Sequence, residues 1–173
     1  MTARPTVHAS AVLVGDRAVL IRGPSGSGKS RLAFELILAG RSGQIPRAIL
    51  VGDDRVHLDT DSGNLIVRPA QELAGLIEIR GLGIRRIEHV DEAAVGLVVD
   101  LGAEDGDRLP ATEALTIWLD GVKIPRIPVN RQYSPLPLIA AALTTTDGAP
   151  AAQPSTDCPK GIANHISPTI ATE

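Results

Sequence analysis

The chain has 173 residues, 43% of them hydrophobic, with one Phe, one Trp and one Tyr, and a net charge of −3. That length suits one domain, whose core must be filled by Val, Ile, Leu and Ala. The absence of a basic block and the scarcity of aromatic stacking platforms argue against nucleic acid as a partner.

Cys158 is the only cysteine, which excludes an intrachain disulfide and a cysteine zinc cluster. No apolar run is long enough to span a bilayer, and no signal-peptide pattern follows Met1. No membrane partner is therefore expected, and the expected location is the cytoplasm.

In chain order, Ala11-Val12-Leu13-Val14, a Gly15-Asp16 turn and Ala18 to Ile21 predict a hairpin. It leads into Gly23-Pro24-Ser25-Gly26-Ser27-Gly28-Lys29-Ser30, which fits G-x-x-x-x-G-K-[ST] at every fixed position. Residues 30–40 then carry apolar side chains at helical spacing, with Gly40 as the expected stop. Strand, glycine-rich turn and helix are the context this phosphate-binding loop requires. Gly26 and Gly28 let successive N–H groups point at an anion, and the helix adds its positive dipole end. Lys29 is expected on the β- and γ-phosphates, and Ser30 on Mg²⁺.

Next, Ala48 to Val51 predicts a short buried strand ending in Gly52-Asp53-Asp54, where a Walker-B acid usually sits after a P-loop helix, the alternative being a turn with two solvated aspartates. The pattern does not choose between Asp53 and Asp54. Alternating runs at 55–59 and 64–67 predict a second hairpin, and a helical turn is expected at 69–73. Two hairpins beside a P-loop point to an α/β domain with a mixed β-sheet rather than a plain doubly wound one. Leu76 to Arg80 predicts a strand ending at Gly81-Leu82-Gly83. Glu78 and Arg80 then share a face, as a metal-binding carboxylate beside a phosphate-binding guanidinium or as a cross-strand ion pair. A buried strand at 94–101, a polar loop at 102–110, a hairpin around Asp120-Gly121 and a helix over 135–143 complete the domain, 1–143. Thr, Ala, Pro and Ser dominate 144–173, which reads as a disordered tail. His8, His57, His89 and His165 show no metal-ligand spacing, and Arg108 reads as a solvated loop charge.

Taken together, the motifs resemble the catalytic domain of the bacterial HPr kinase/phosphorylase family over residues 6 to 143. His8 stands 21 residues before Lys29, as the family's histidine does before its P-loop lysine. The P-loop has the G-x-S-G-x-G-K-S form, and Gly52-Asp53-Asp54-Arg55-Val56 is similar to A-D-D-x-V. Ile77-Glu78-Ile79-Arg80-Gly81-Leu82-Gly83-Ile84 nearly repeats the signature E-I-R-G-L-G-I. Asp107-Arg108-Leu109, Val122 to Pro125 and Ile127-Pro128-Val129 also match.

The resemblance implies a fold like that of phosphoenolpyruvate carboxykinase, ATP and Mg²⁺ as cofactors, and phosphorylation of a seryl residue on an HPr-type phosphocarrier protein. The reverse reaction would use phosphate and release pyrophosphate. It assigns Lys29 to the phosphates, Ser30 and Glu78 to Mg²⁺, and Asp54 to acid–base work, and it places His8 and Arg108 in the active site. It further implies a homo-oligomer, a hexamer in the family, and the short form without an N-terminal domain. Two departures stand out. Arg31 replaces an acidic residue common after the P-loop. The family's P-V-R-P-G-R-N stretch, tied to phosphorolysis, reads Pro128-Val129-Asn130-Arg131-Gln132-Tyr133-Ser134 and keeps only Pro128 and Val129 in register. Kinase activity is thus the firmer expectation. The alternatives are a P-loop small-molecule kinase, for which Arg85-Arg86 is the one nearby arginine pair, and a non-catalytic nucleotide-binding regulatory module.

Overall fold

The structure is a computed structural model and describes residues 5–146 and residue 148. The polar tail read from the sequence lies almost wholly outside these residues.

Alternation decides the first hairpin. β1 (Ser10–Val14) and β2 (Arg17–Arg22) pair antiparallel, with Val14 opposite Arg17, around the Gly15-Asp16 turn. Val12, Val14, Val19 and Ile21 belong to one buried cluster, and Ala11, Ala18 and Leu20 to another, so both faces of this hairpin are covered. β3 (Ala48–Gly52) joins β1 antiparallel. On the other side β2 runs parallel to β8 (Ala93–Leu101), and β8 parallel to β10 (Val122–Val129). β9 (Thr116–Leu119) closes this edge as a hairpin with β10 around Asp120-Gly121. The order is β3-β1-β2-β8-β10-β9, and β4 (Val56–Asp61) and β5 (Asn64–Pro69) attach through β5 to β8. The sheet is mixed, as the two hairpins predicted, and its three parallel strands lie at the P-loop.

α1 (Lys29–Arg41) and α2 (Pro135–Thr144) contribute to the first cluster, and the β4–β5 ladder to the second. α1 does not stop at Gly40. It continues through Arg41, caps on Ser42, and is followed by Gly43 at φ 75. Gly40 is glycine for a different reason: a Cβ there would stand 2.6 Å from the Ala48 backbone nitrogen. The glycine marks a close approach of helix to β3, not a helix end.

β6 (Leu76–Ile79) pairs with β7 (Gly83–Arg86) as a separate two-stranded ribbon. β7 is exposed at all four positions, so no burial pattern marked it in the sequence. The ribbon is hung on the sheet through the segment after it. Ile87 N–H donates to the Gly75 carbonyl, and Val90 N–H to that of Leu50. No helix among the described residues is long and apolar enough to cross a membrane.

Candidate active site

The P-loop leaves β2 at Gly23 and enters α1 at Lys29. Gly23, Gly26 and Gly28 have φ of 146, 77 and 96, values that side chains rarely adopt. At Gly26 and Gly28 a Cβ would meet nothing within 4 Å, and both residues line an open cleft. α1 has no side-chain cap and no acidic residue in its first turn. The free N–H groups and positive end of the helix therefore face the same space, as an anion site requires. The Ser27 hydroxyl is buried without a hydrogen-bond partner, a polar group whose cost a ligand would remove.

Lys29 is buried, and its Nζ donates to the Gly23 and Pro24 carbonyls at 3.0 and 3.1 Å. Burial lowers its pKa below the usual lysine value, while the charges of Asp54 and Asp53 act in the opposite direction. The ammonium is thus held next to the loop, with two carboxylates nearby.

The adjacent aspartates play separate parts. Asp53 is buried; it accepts the Ser10 hydroxyl at 2.6 Å and the Glu78 N–H at 3.1 Å. One carboxylate thereby ties β1 to β6 and fixes the backbone of Glu78. Asp54 has φ 64, inside a three-residue turn closed by Arg55 N–H donating to the Asp53 carbonyl at 2.8 Å. Such γ-turns are strained and uncommon. The turn leaves the Asp54 side chain 60% exposed, facing the P-loop cleft. The choice that the sequence left open is made by burial: Asp53 is structural and Asp54 faces the site.

His8 is placed by the chain entering β1. Val7 exchanges two backbone hydrogen bonds with Val56, at 2.8 and 3.1 Å, just past the Asp53–Arg55 turn. This sets His8 Nε2 3.3 Å from an Asp54 carboxylate oxygen. His8, Asp54, Glu78 and Arg80 line one cleft of about 970 Å³ with Ser25 to Arg31. Glu78 sits on β6, whereas Arg80 follows the strand in the hairpin turn, and the two line the same cleft. Arg31 pairs with Glu35 one helical turn on, at 2.8 Å.

Arg108 is exposed in the loop after β8 and does not line this cleft. That loop is anchored by a network no motif revealed. Asp100, directly across from Arg22 in the β2–β8 register, accepts Arg22 at 2.8 Å through each carboxylate oxygen and Arg126 at 2.5 Å. Arg126 also donates to Asp105 at 2.6 Å. Burial opposes ionisation of Asp100, but the hydrogen bonds from Arg22 and Arg126 hold its pKa below the ordinary carboxylate value. Asp105 is held low chiefly by Arg126. Arg22 immediately precedes the P-loop, so this network fixes the loop's near end. Its only sequence signal was an aspartate near the end of an apolar strand.

Ser30 and Glu78 bring two oxygen donors to one cleft beside the phosphate cradle. Hard oxygen ligands with room for phosphate oxygens and waters suit Mg²⁺, so the residues present fit that ion.

Known proteins share this fold. The family model "HPr Serine kinase C-terminal domain" matches residues 1–147. The HPr kinase/phosphorylase of Streptococcus thermophilus (strain LMD-9) is 39% identical over 136 residues, covering 72% of this chain and 41% of that protein. The one from Caldicellulosiruptor bescii is 34% identical over 131 residues, covering 75% and 38%. The chain thus spans about two fifths of the length of these curated relatives. The solved structure of the Hpr(Ser) kinase/phosphatase from Coxiella burnetii superposes with a TM-score of 0.64 at 28% identity, covering 81% of this chain and 93% of that one. The chain therefore belongs to the HPr serine kinase C-terminal domain family.

Proposed function

We propose that this protein is an ATP- and Mg²⁺-dependent protein-serine kinase acting on an HPr-type phosphocarrier protein. The observation that carries the reading is the His8–Asp54 pair, 3.3 Å apart, lining one cleft with the P-loop and Glu78. The named relatives act in the same sense.

The P-loop amides and Lys29 would hold the polyphosphate, with the terminal phosphate toward Asp54. Mg²⁺, held by Ser30 and Glu78, would supply charge neutralisation on the phosphate oxygens when bound. A serine hydroxyl is a weak nucleophile at neutral pH, so Asp54 takes its proton as the serine oxygen bonds to the γ-phosphorus. The bond from that phosphorus to the β-phosphate oxygen breaks and ADP leaves. His8 holds the Asp54 carboxylate in place. Positioning and electrostatics supply most of the acceleration, because the cradle is formed before the phosphate arrives. In reverse, Asp54 returns a proton to the serine oxygen as inorganic phosphate takes the phosphoryl group, giving pyrophosphate. Residues 130–134, where the chain leaves the family's phosphorolysis pattern, lie against the P-loop, so kinase activity is the firmer half of the reading.

The test is label transfer from γ-labelled ATP with Mg²⁺ to an HPr-type protein. Expected is phosphoserine on the carrier, with pyrophosphate release from phospho-carrier and phosphate measured separately. No transfer to any HPr-type protein of the same cell would overturn the proposal.

A further inference from the structure

A second cleft, of about 450 Å³, opens against the other flank of the P-loop. Ser25, Gly26 and Ser27 line both clefts, so the loop is a ridge between them. Pro24, Asn130, Arg131 and Tyr133 belong to the second alone. We infer that this second cleft receives the base and ribose of the nucleotide, with Tyr133 as the stacking platform. The inference rests on the reading above, that the P-loop holds a nucleoside triphosphate.

The direction of the polyphosphate carries it. The terminal phosphate has to face Asp54, which lines only the first cleft. The opposite end of a linear triphosphate leaves the ridge on the far flank, where a volume of about 450 Å³ lies within the roughly 300–1,000 Å³ usual for small-molecule sites. Tyr133 is the chain's one tyrosine, and it is 42% exposed there. It stands on a turn that is already closed. Tyr133 N–H donates to the Asn130 carbonyl at 3.0 Å, and Gln132 N–H to Asn130 Oδ1 at 3.1 Å. The backbone that carries the ring is thus held before the ligand arrives, which lowers the cost of binding. The Asn130 side-chain oxygen is engaged, leaving its amide N–H groups to donate to a ligand. Arg131 adds a positive charge on the nucleoside side of the phosphates, with its guanidinium near Gly102.

The experiment is calorimetric titration of the full chain with Mg²⁺-ATP and, separately, with Mg²⁺-tripolyphosphate, for wild type, Tyr133→Ala and Tyr133→Phe. Expected is about a tenfold loss of ATP affinity in Tyr133→Ala, in line with base–aromatic stacking. Tripolyphosphate affinity should change less than twofold, and Tyr133→Phe should bind both like wild type. Unchanged ATP affinity in Tyr133→Ala, or equal loss for both ligands, overturns the nucleoside subsite while leaving the P-loop reading intact. Wild-type protein that binds neither ligand overturns both.

Discussion

Asp53 and Asp54 are identical neighbours with opposite surroundings, and substituting each should separate stability from chemistry. Asp53→Ala removes the acceptor of the Ser10 hydroxyl and of the Glu78 N–H, both at a buried position. Hydrogen bonds to a charged group are worth about 1.5–3 kcal/mol each. Relief of the carboxylate's own burial returns part of that sum. A net loss of about 3 kcal/mol is expected, which for a chain of this size lowers Tm by roughly 6–12 °C. Asp54→Asn acts on a side chain that is 60% exposed and whose ion-pair partner is a half-exposed histidine. Such a pair contributes about 0–1 kcal/mol, and asparagine tolerates the φ of 64 as well as aspartate does. Its Tm should stay within about 4 °C of wild type, while loss of the proposed base should slow transfer to serine by about 10²–10⁴-fold. Thermal unfolding followed by circular dichroism, with label transfer measured on the same samples, reads both quantities. Equal Tm values for the two variants, or an Asp54→Asn enzyme of wild-type rate, would refute the division of labour.

Two further substitutions probe the frame of the site. Gly40→Ala would ordinarily strengthen a helix interior by about 1 kcal/mol. Here the added methyl stands 2.6 Å from the Ala48 nitrogen, and overpacking of about 1–3 kcal/mol should prevail. The variant's Tm should therefore fall, and a rise would show that α1 and β3 are not in close contact. The Asp100 carboxylate has a folded-state pKa below its unfolded value, so its contribution is present above about pH 4 and is lost as pH falls through the folded value. Asp100→Asn should cost about 2 kcal/mol at pH 7, less than a fully buried pair because the Arg22 end is part-exposed. The variant's urea midpoint should also change less than that of wild type between pH 5 and pH 2, and parallel pH profiles would contradict the assignment.

What is local could be read from the residues alone. The P-loop was legible because its glycines, lysine and serine act through the backbone of eight consecutive residues between a strand and a helix. The hairpins at Gly15-Asp16 and Asp120-Gly121 were legible because turn chemistry and two-residue alternation are short-range. The resemblance resting on those motifs led to the family that the comparisons show.

What depends on residues far apart in the chain emerged from the folded structure. It placed β2, β8 and β10 side by side in parallel, a pairing no local pattern encodes. It showed Gly40 to be a contact with β3 rather than a helix end. It found β7, whose four residues are all exposed and so carry no burial period. The residue pattern alone did not separate Asp53 from Asp54, because what distinguishes their surroundings is Ser10 on one strand and Glu78 on another. Arg22, Asp100 and Arg126 likewise meet only because the sheet aligns their strands. Periodicity reports which face a side chain takes, and long-range pairing reports what it finds there. The P-loop belonged to the first kind of information, and the two clefts on its flanks to the second.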